Sequence, residues 1–510
     1  VSASTILKSE NPIQTIMELK TSGRYKMDKH DKLKEDLTKR IFSVVTKLDY
    51  IKSGTLVGSF VDKKGIEGIS DIDIIVIVDE LTKQKFDEII NEYSLLGESI
   101  KVDYDYDVKI NSTFGPLKYD EDNNIVFHLM IYDIASHKEH CEKSPFTCYD
   151  WQRSKVFKKK PMEEICKVFM LKPSDFFSAR RGIKEYLKDY ENKQISYRKY
   201  TFIGGEVSEE VRHKKMDIKA EINFCYHIMK FVMLNFLKLY NKQNIHYDTA
   251  ELSREYLKIM PRNNKWHSEL FNKLSHMKNS KKYKSIDSKR IEFFIEDFEQ
   301  QFKYIFDNKV LYIMRHGETK FNREGKFLGQ RLNPPILNGQ VDKIKTIAKQ
   351  LGKIDTIYCS PLQRCIDTAI PIKEYFNTNR LVLDDRLKEI DCGLLDGKTY
   401  EDLKRDHKDM YEAWNRKEDA RFPDGENQQD VLERVIKFLD TLLVRSNTLA
   451  VTHNGCMRLL AGEILDLDMY DRHKLYIPNL AFIKVVFTNR KVYIDYNFNL
   501  FKNYWEEVNE

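Results

Sequence analysis

Cysteine is scarce in this chain: eight are spread over 510 residues. That spread excludes a disulfide-stapled framework and points to reduced thiols. Apolar runs of membrane-spanning length are missing too. "IDIIVIV" is too short, and "INFCYHIMKFVMLNFLKLY" is broken by His227, Lys230, Asn235 and Lys238, which predicts a buried helix with polar edges and no membrane partner. The first residues, "VSASTILKSENP", lack the basic, apolar and small-residue sections of a signal peptide, so a cytoplasmic protein is expected. Internal repeats and low-complexity linkers are absent. Charge of one sign is in short supply as well: 85 basic residues face 79 acidic ones, a net +6 that suits anionic substrates without by itself arguing for nucleic acid.

What is present is globular in character, with 41% hydrophobic and 32% charged residues. At this length two or three cores are expected. The expected fold class is multidomain α/β and α, in three sections. Residues 25–150 read as a helix ("KHDKLKEDLTKRIFSVVTKL"), strands at 72–78, 99–110 and 124–134, and a helix at 82–95. Residues 151–306 read as helical and Lys-rich, with helices near 174–192, 216–242, 262–278 and 288–306 and few strand signals. Residues 307–510 alternate strands with helices, the order of an α/β domain with a mainly parallel sheet. The cluster "SHKEHCEKSPFTCYD" holds His137, His140, Cys141 and Cys148 at a spacing that fits no standard zinc pattern, and reads as a surface loop with ordinary thiols.

Two constellations carry chemistry. In "LVGSFVDKKGIEGISDIDIIVIVDE", strand alternation puts Asp71 and Asp73 on one face, with Ile72, Ile74 and Val76 on the other. Two carboxylates this close repel unless a cation or water intervenes, and magnesium, which takes carboxylate and phosphate oxygens together, is the natural partner. Gly58 and Ser59, small residues at the end of an earlier strand, would let the backbone approach a triphosphate. Gly-Ser, eleven residues, then Ser70-Asp71-Ile72-Asp73 resembles the polymerase β-type nucleotidyltransferase superfamily over about residues 30–140. The resemblance implies a mixed-sheet domain, Mg2+ held by Asp71 and Asp73, Ser59 near the phosphates, and nucleotidyl transfer from a nucleoside triphosphate. The family has a third carboxylate on a later strand, and this sequence departs from it. His128 in "IVFHLMIYD" stands where an aspartate is expected, while Asp103, Asp105 and Asp107 in "KVDYDYDVKI" would share one strand face, as a source of the missing charge or as a solvated edge. Without a completed site, the domain would bind nucleotide without transferring it.

The second constellation is "RHGET" (315–319), "SPLQRCIDTA" (360–369), "RLKEIDCGLLDG" (386–397), "PDGEN" (423–427) and "VTHNG" (451–455). In this order the motifs look like the phosphoglycerate mutase-like histidine phosphatase superfamily. The resemblance implies that His316 is the nucleophile that becomes phosphorylated, with Arg315, Arg364, His453 and Asn322 around the phosphoryl oxygens and Glu389 as acid and then base. No cofactor is implied for this domain. The chemistry stands without the name, since phosphoryl transfer needs positioning and dispersal of negative charge, and guanidiniums with a second imidazole supply both. "NPPILNG" (333–339) and Asn454 depart from the family pattern at the pocket rim, which bears on substrate choice. The expected whole is a bifunctional enzyme, acting on a nucleoside triphosphate and a phosphorylated small molecule. Basic runs "FKKK", "RHKK" and "NSKKYKSIDSKR" keep RNA 3′-end processing open, as a phosphatase regulated by a nucleotide-sensing domain also stays open.

Overall fold

The structure, a computed structural model, describes residues 29–63, 71–114, 124–169, 171–180, 182–204, 206–260, 265–287, 289–442, 448–488 and 491–503. Ser70 of the N-terminal motif lies outside the described residues. The chain divides into two compact units: Val1–Glu142 with Thr147–Lys167 and Asn192–Met216, and Lys143–Phe146 with Val168–Glu191 and Asp217–Glu510.

The first unit is built on a mixed five-stranded sheet in the order β3-β4-β2-β1-β5, with β1 Ile51–Val57, β2 Ile72–Val78, β3 Asp107–Asn111, β4 Asn124–Asp133 and β5 Phe157–Lys159. β3, β4 and β2 run parallel, and β1 is antiparallel to β2 and β5. β2 lies centrally, and Ile74, Ile75, Val76, Ile77 and Val78 are all fully buried, which explains its near-continuous apolar run. Helix α1, Lys29–Lys47, buries Leu33, Leu37, Ile41, Val44 and Val45, one stripe at helical spacing. Helix α2, Lys83–Tyr104, buries Ile89, Tyr93, Gly97 and Ile100 in the same manner.

That stripe corrects the expected strand at 99–110. The helical period carries α2 through Tyr104, Asp105 turns the chain in a left-handed conformation, and β3 starts only at Asp107. Asp103, Asp105 and Asp107 therefore share no strand face. Asp103 pairs with Arg40 at 2.6 Å and Asp107 with Lys101 at 2.7 Å. The segment expected as a surface loop of thiols is also corrected. It forms helices Ile134–Lys143 and Pro145–Trp151, and His137, His140, Cys141 and Cys148 are buried, because His137, His140 and Cys141 fall on one helix face. All eight cysteines are free and buried. A third correction concerns 194–215, placed in a helical section: β6 Gln194–Ile203 and β7 Glu206–Lys215 form an antiparallel hairpin. Tyr200 faces inward from it against Phe114, ring centroids 4.9 Å apart, so the period-two pattern of "ISYRKYTF" was the signal.

In the second unit, helices α3 Ile218–Asn241, α4 Thr249–Ile259, α5 Lys265–Asn279 and α6 Lys289–Phe306 precede a six-stranded sheet. Its order is β10-β9-β11-β8-β12-β13, from β8 Val310–Arg315, β9 Thr356–Cys359, β10 Arg380–Leu383, β11 Thr448–Thr452, β12 Phe482–Phe487 and β13 Val492–Asp495. The first four neighbours are parallel, and β12 and β13 add two antiparallel strands, so the sheet is mixed. α3 is the apolar helix foreseen from the sequence, and no helix among the described residues is long and apolar enough to cross a membrane. The helices meet the sheet at β13: the Tyr493 hydroxyl donates to the Tyr240 carbonyl at 2.7 Å, and Ser174 donates its hydroxyl to Asp495 at 2.5 Å. Around the sheet lie α7 Gln363–Phe376, α8 Tyr400–Asp406, α9 Lys408–Asn415, α10 Gln428–Thr441 and α11 Asn454–Ile464.

Candidate active site

Strand pairing creates the core of the site. β8 and β11 are parallel neighbours, with Arg315 opposite Thr452, so the next residue on each strand, His316 and His453, leaves the same edge of the sheet. Their rings stand 5.1 Å apart. His316 Nδ1 lies 2.6 Å from the Gly317 carbonyl. A carbonyl only accepts, so the proton sits on Nδ1 and Nε2 keeps its lone pair. Burial and the charges of Arg364 and Arg315 hold the His316 pKa well below that of an ordinary histidine, which keeps the ring neutral.

Arg364, on the first turn of α7, is fully buried. Its Nη2 donates to the Gly329 carbonyl at 2.8 Å and its Nε to His453 Nδ1 at 3.1 Å. That bond makes Nδ1 of His453 the acceptor, so its Nε2 bears the proton and donates to Ser360 Oγ at 2.9 Å. Arg315 gives Nη1 to the Ile477 carbonyl at 2.6 Å, while its buried Nε has no hydrogen-bond partner. An orphaned buried donor beside His316 suits an anion. Asn322 turns its Oδ1 to the Thr319 backbone N–H and hydroxyl in a capping box, and borders the same cavity.

Glu389 is held from two sides. Ile390 N–H donates to Oε1 at 3.0 Å, and Gly455 N–H, on the first turn of α11, donates to both oxygens at 3.1 and 3.2 Å. A Cβ at Gly455 would sit 2.4 Å from Oε1, so glycine is required for this approach. Farther out, Glu426 accepts from Arg434 Nη2 at 3.0 Å and from Asp391 N–H at 3.0 Å, and Arg434 also donates to the Glu389 carbonyl at 3.0 Å. Arg315, His316, Asn322 and Glu389 border one cavity of about 990 Å³, and Tyr400 of α8 and Trp414 of α9 stand at its edge. Ser360, Arg434 and Gly455 were assigned no role from the sequence. Ser360 and Gly455 sit inside quoted motifs, but nothing in residue type alone shows that one orients an imidazole and the other seats a carboxylate.

Residues 311–499 match the family described as the histidine phosphatase superfamily (branch 1). A relative from Enterobacter sp. named "Probable phosphoglycerate mutase GpmB" is 32% identical over 185 residues, 34% of this chain and 83% of the relative. The chain belongs to the histidine phosphatase superfamily. Another relative of this superfamily unit, from Hydrogenobacter thermophilus and named as a phosphoserine phosphatase, is 26% identical over 182 residues, 35% of this chain and 89% of the relative. Among solved structures, the alpha-ribazole phosphatase from Shigella flexneri is 21% identical, with TM-score 0.34, over 37% of this chain and 96% of its own.

The buried imidazoles also set an acid limit. Burial holds both His316 and His453 well below the ordinary value of 6.5, with neighbouring guanidiniums acting in the same direction. In the unfolded chain both titrate normally, so below that pH the unfolded state binds more protons and stability falls as pH falls. Urea unfolding followed by tryptophan fluorescence is expected to show a lower midpoint at about pH 5.5 than at about pH 7.5, with a smaller difference in His453→Gln.

In the first unit, the structure brings together Asp71, Asp73 and His128, whose ligand atoms lie within 4.8 Å of one another, the one such group among the described residues. Asp73 and His128 are register partners on parallel β2 and β4. His128 Nε2 donates to the Thr113 carbonyl at 2.7 Å, and Nδ1 lies 2.7 Å from Asp73 Oδ1. Burial alone would lower the His128 pKa, but the Asp73 hydrogen bond and charge, with the Thr113 bond, raise it. Gly58 packs directly on this carboxylate: it has φ 71°, and a Cβ there would lie 2.4 Å from Asp73 Oδ2. Ser59 opens the short helix Ser59–Asp62 just after β1.

Proposed function

We propose that the second unit hydrolyses a phosphomonoester through a phosphohistidine on His316, and that the first binds a nucleoside triphosphate with Mg2+ and transfers its nucleotidyl group to a small-molecule acceptor. The observation that carries the first half is His316 itself: a neutral imidazole with its Nε2 lone pair unengaged, beside Arg315 and Arg364. Nε2 attacks phosphorus as the ester oxygen leaves, and the guanidiniums take up the charge spread over the equatorial oxygens. Glu389 as a carboxylic acid protonates the leaving oxygen. As a carboxylate it then accepts a proton from the water that attacks the phosphohistidine, restoring the free imidazole. Relatives named for phosphoglycerate and phosphoserine support a small phosphorylated substrate. Phosphate release from a panel of phosphorylated metabolites tests the reading.

For the first unit, the donor set is the support. Two carboxylates on one strand edge, with backbone approach allowed at Gly58, suit a hard divalent cation. Bound there, Mg2+ would neutralise triphosphate charge. Asp71 and Asp73 would hold it, Gly58 and Ser59 would face the phosphates, and His128 would orient Asp73. A second reading has its own observation: an imidazole raised toward its charged form on Asp73 supplies positive charge where the transferase family has a carboxylate. In that reading the unit binds nucleotide without consuming it. Pyrophosphate release from nucleoside triphosphates with Mg2+ is expected to fall about 100-fold or more in Asp71→Asn and Asp73→Asn. Undiminished release rules out the transferase reading, and nucleotide binding by calorimetry without release supports the second.

A further inference from the structure

Glu389 stands on a stretch of chain that has no ladder of its own. It falls between the short turns Asp385–Leu387 and Gly393–Leu395, and the carbonyls of Arg386, Lys388 and Glu389 accept from no backbone N–H among the described residues. Backbone oxygens in that position need side-chain partners. Arg434 of α10 supplies them: Nη1 donates to the Arg386 carbonyl at 2.7 Å and the Lys388 carbonyl at 2.6 Å, and Nη2 to the Glu389 carbonyl at 3.0 Å. The guanidinium is itself seated, because Nε and Nη2 grip the two oxygens of Glu426 at 3.1 and 3.0 Å, a bidentate pair that fixes its plane. Glu426 also accepts from the Asp391 N–H at 3.0 Å, two residues past Glu389. Gln330 closes the set, its Nε2 donating to the Glu389 carbonyl at 2.8 Å and to Glu426 at 3.3 Å. Glu389 borders the cavity of His316, whereas Arg434, Glu426 and Gln330 do not, so these three act on Glu389 from behind.

The Ile390 and Gly455 N–H groups orient the Glu389 carboxylate only while the backbone beneath it stays in place. Proton delivery is sensitive to that placement, since a shift of about 1 Å can cost about 10²-fold in rate. A planar fork meets several carbonyls from one fixed plane, which a lysine ammonium does not reproduce. We propose that Arg434, seated on Glu426, is the positioning residue that holds the backbone at Glu389 so that its carboxyl group reaches the leaving ester oxygen. The step rests on the phosphatase reading above: the bond from His316 Nε2 to phosphorus forms, the bond from phosphorus to the ester oxygen breaks, and the Glu389 proton passes to that oxygen. Arg434 touches no substrate and takes no part in bond making.

The test is the rate at which histidine is phosphorylated in a single turnover of the full chain, read by rapid quench with two esters. One is the alkyl phosphate that the wild-type chain hydrolyses fastest, whose leaving oxygen needs a proton. The other is p-nitrophenyl phosphate, whose leaving group departs with little protonation. In Arg434→Gln, phosphorylation from the alkyl ester is expected to slow about 10- to 100-fold, and from p-nitrophenyl phosphate by less than about threefold. Arg434→Lys, which keeps the charge and loses the fork, is expected to fall between Arg434→Gln and wild type. Gln330→Ala leaves the Arg434–Glu426 pair in place and is expected to show the same selective loss at smaller size, which keeps the test open should Arg434→Gln not fold. Equal slowing with both esters, or alkyl-ester rates unchanged in the Arg434 and Gln330 variants, overturns the proposal and leaves the phosphatase reading standing. A wild-type chain that carries phosphate on no histidine overturns both.

Discussion

Replacing His316 by alanine is expected to lower phosphomonoester turnover by about 10⁴-fold or more, because the proposed nucleophile acts as a unit with the groups around it. His453, the nearest imidazole, is locked between the Arg364 guanidinium and Ser360, its Nδ1 accepting and its Nε2 donating. The measurement is phosphate release, joined to acid-labile phosphoenzyme trapped by rapid quench. Wild-type chain is expected to show label on histidine and His316→Ala none. Turnover persisting within tenfold of wild type would rule out the phosphohistidine route.

The second large effect is expected at a residue with no reactive group. Gly455→Ala places a methyl 2.4 Å from Glu389 Oε1, far inside contact distance, and that oxygen belongs to the carboxylate proposed for proton transfer. Glu389 cannot yield without losing the Gly455 and Ile390 N–H bonds that orient it. A loss of about 10²- to 10³-fold in kcat is expected, the scale of a displaced general acid. The loss should be smaller for substrates with an acidic leaving group such as p-nitrophenol, which needs little protonation to depart. Equal losses for both leaving groups would mean that the methyl disturbs something other than proton delivery.

That His316 and His453 stand at strand ends was legible, because "RHGET" follows the apolar run of β8 and "VTHNG" that of β11. What the sequence does not contain is adjacency. That β8 and β11 are parallel neighbours, and hence that His316 meets His453, comes from tertiary pairing over more than a hundred residues. The strand β2 was equally plain, its apolar run bounded by aspartates. The region after it was not, because "KVDYDYDVKI" alternates as a strand does while Ile89, Tyr93, Gly97 and Ile100 continue a helix into it. The hairpin at 194–215 was hidden by its lysines, arginines and glutamates, which resemble a solvated helix until the inward tyrosine is seen.

The bonds at β13 bear on divisibility. Tyr493 and Asp495 end the sheet, and their partners are Tyr240 at the close of α3 and Ser174 far earlier in the chain. Phe306, the last residue of α6, meets the same Tyr493 ring at 5.3 Å. A cut just before β8 would thus pass through packed interior rather than a tether. The helices form part of the wall that this sheet leans on, and the two are expected to unfold as one piece.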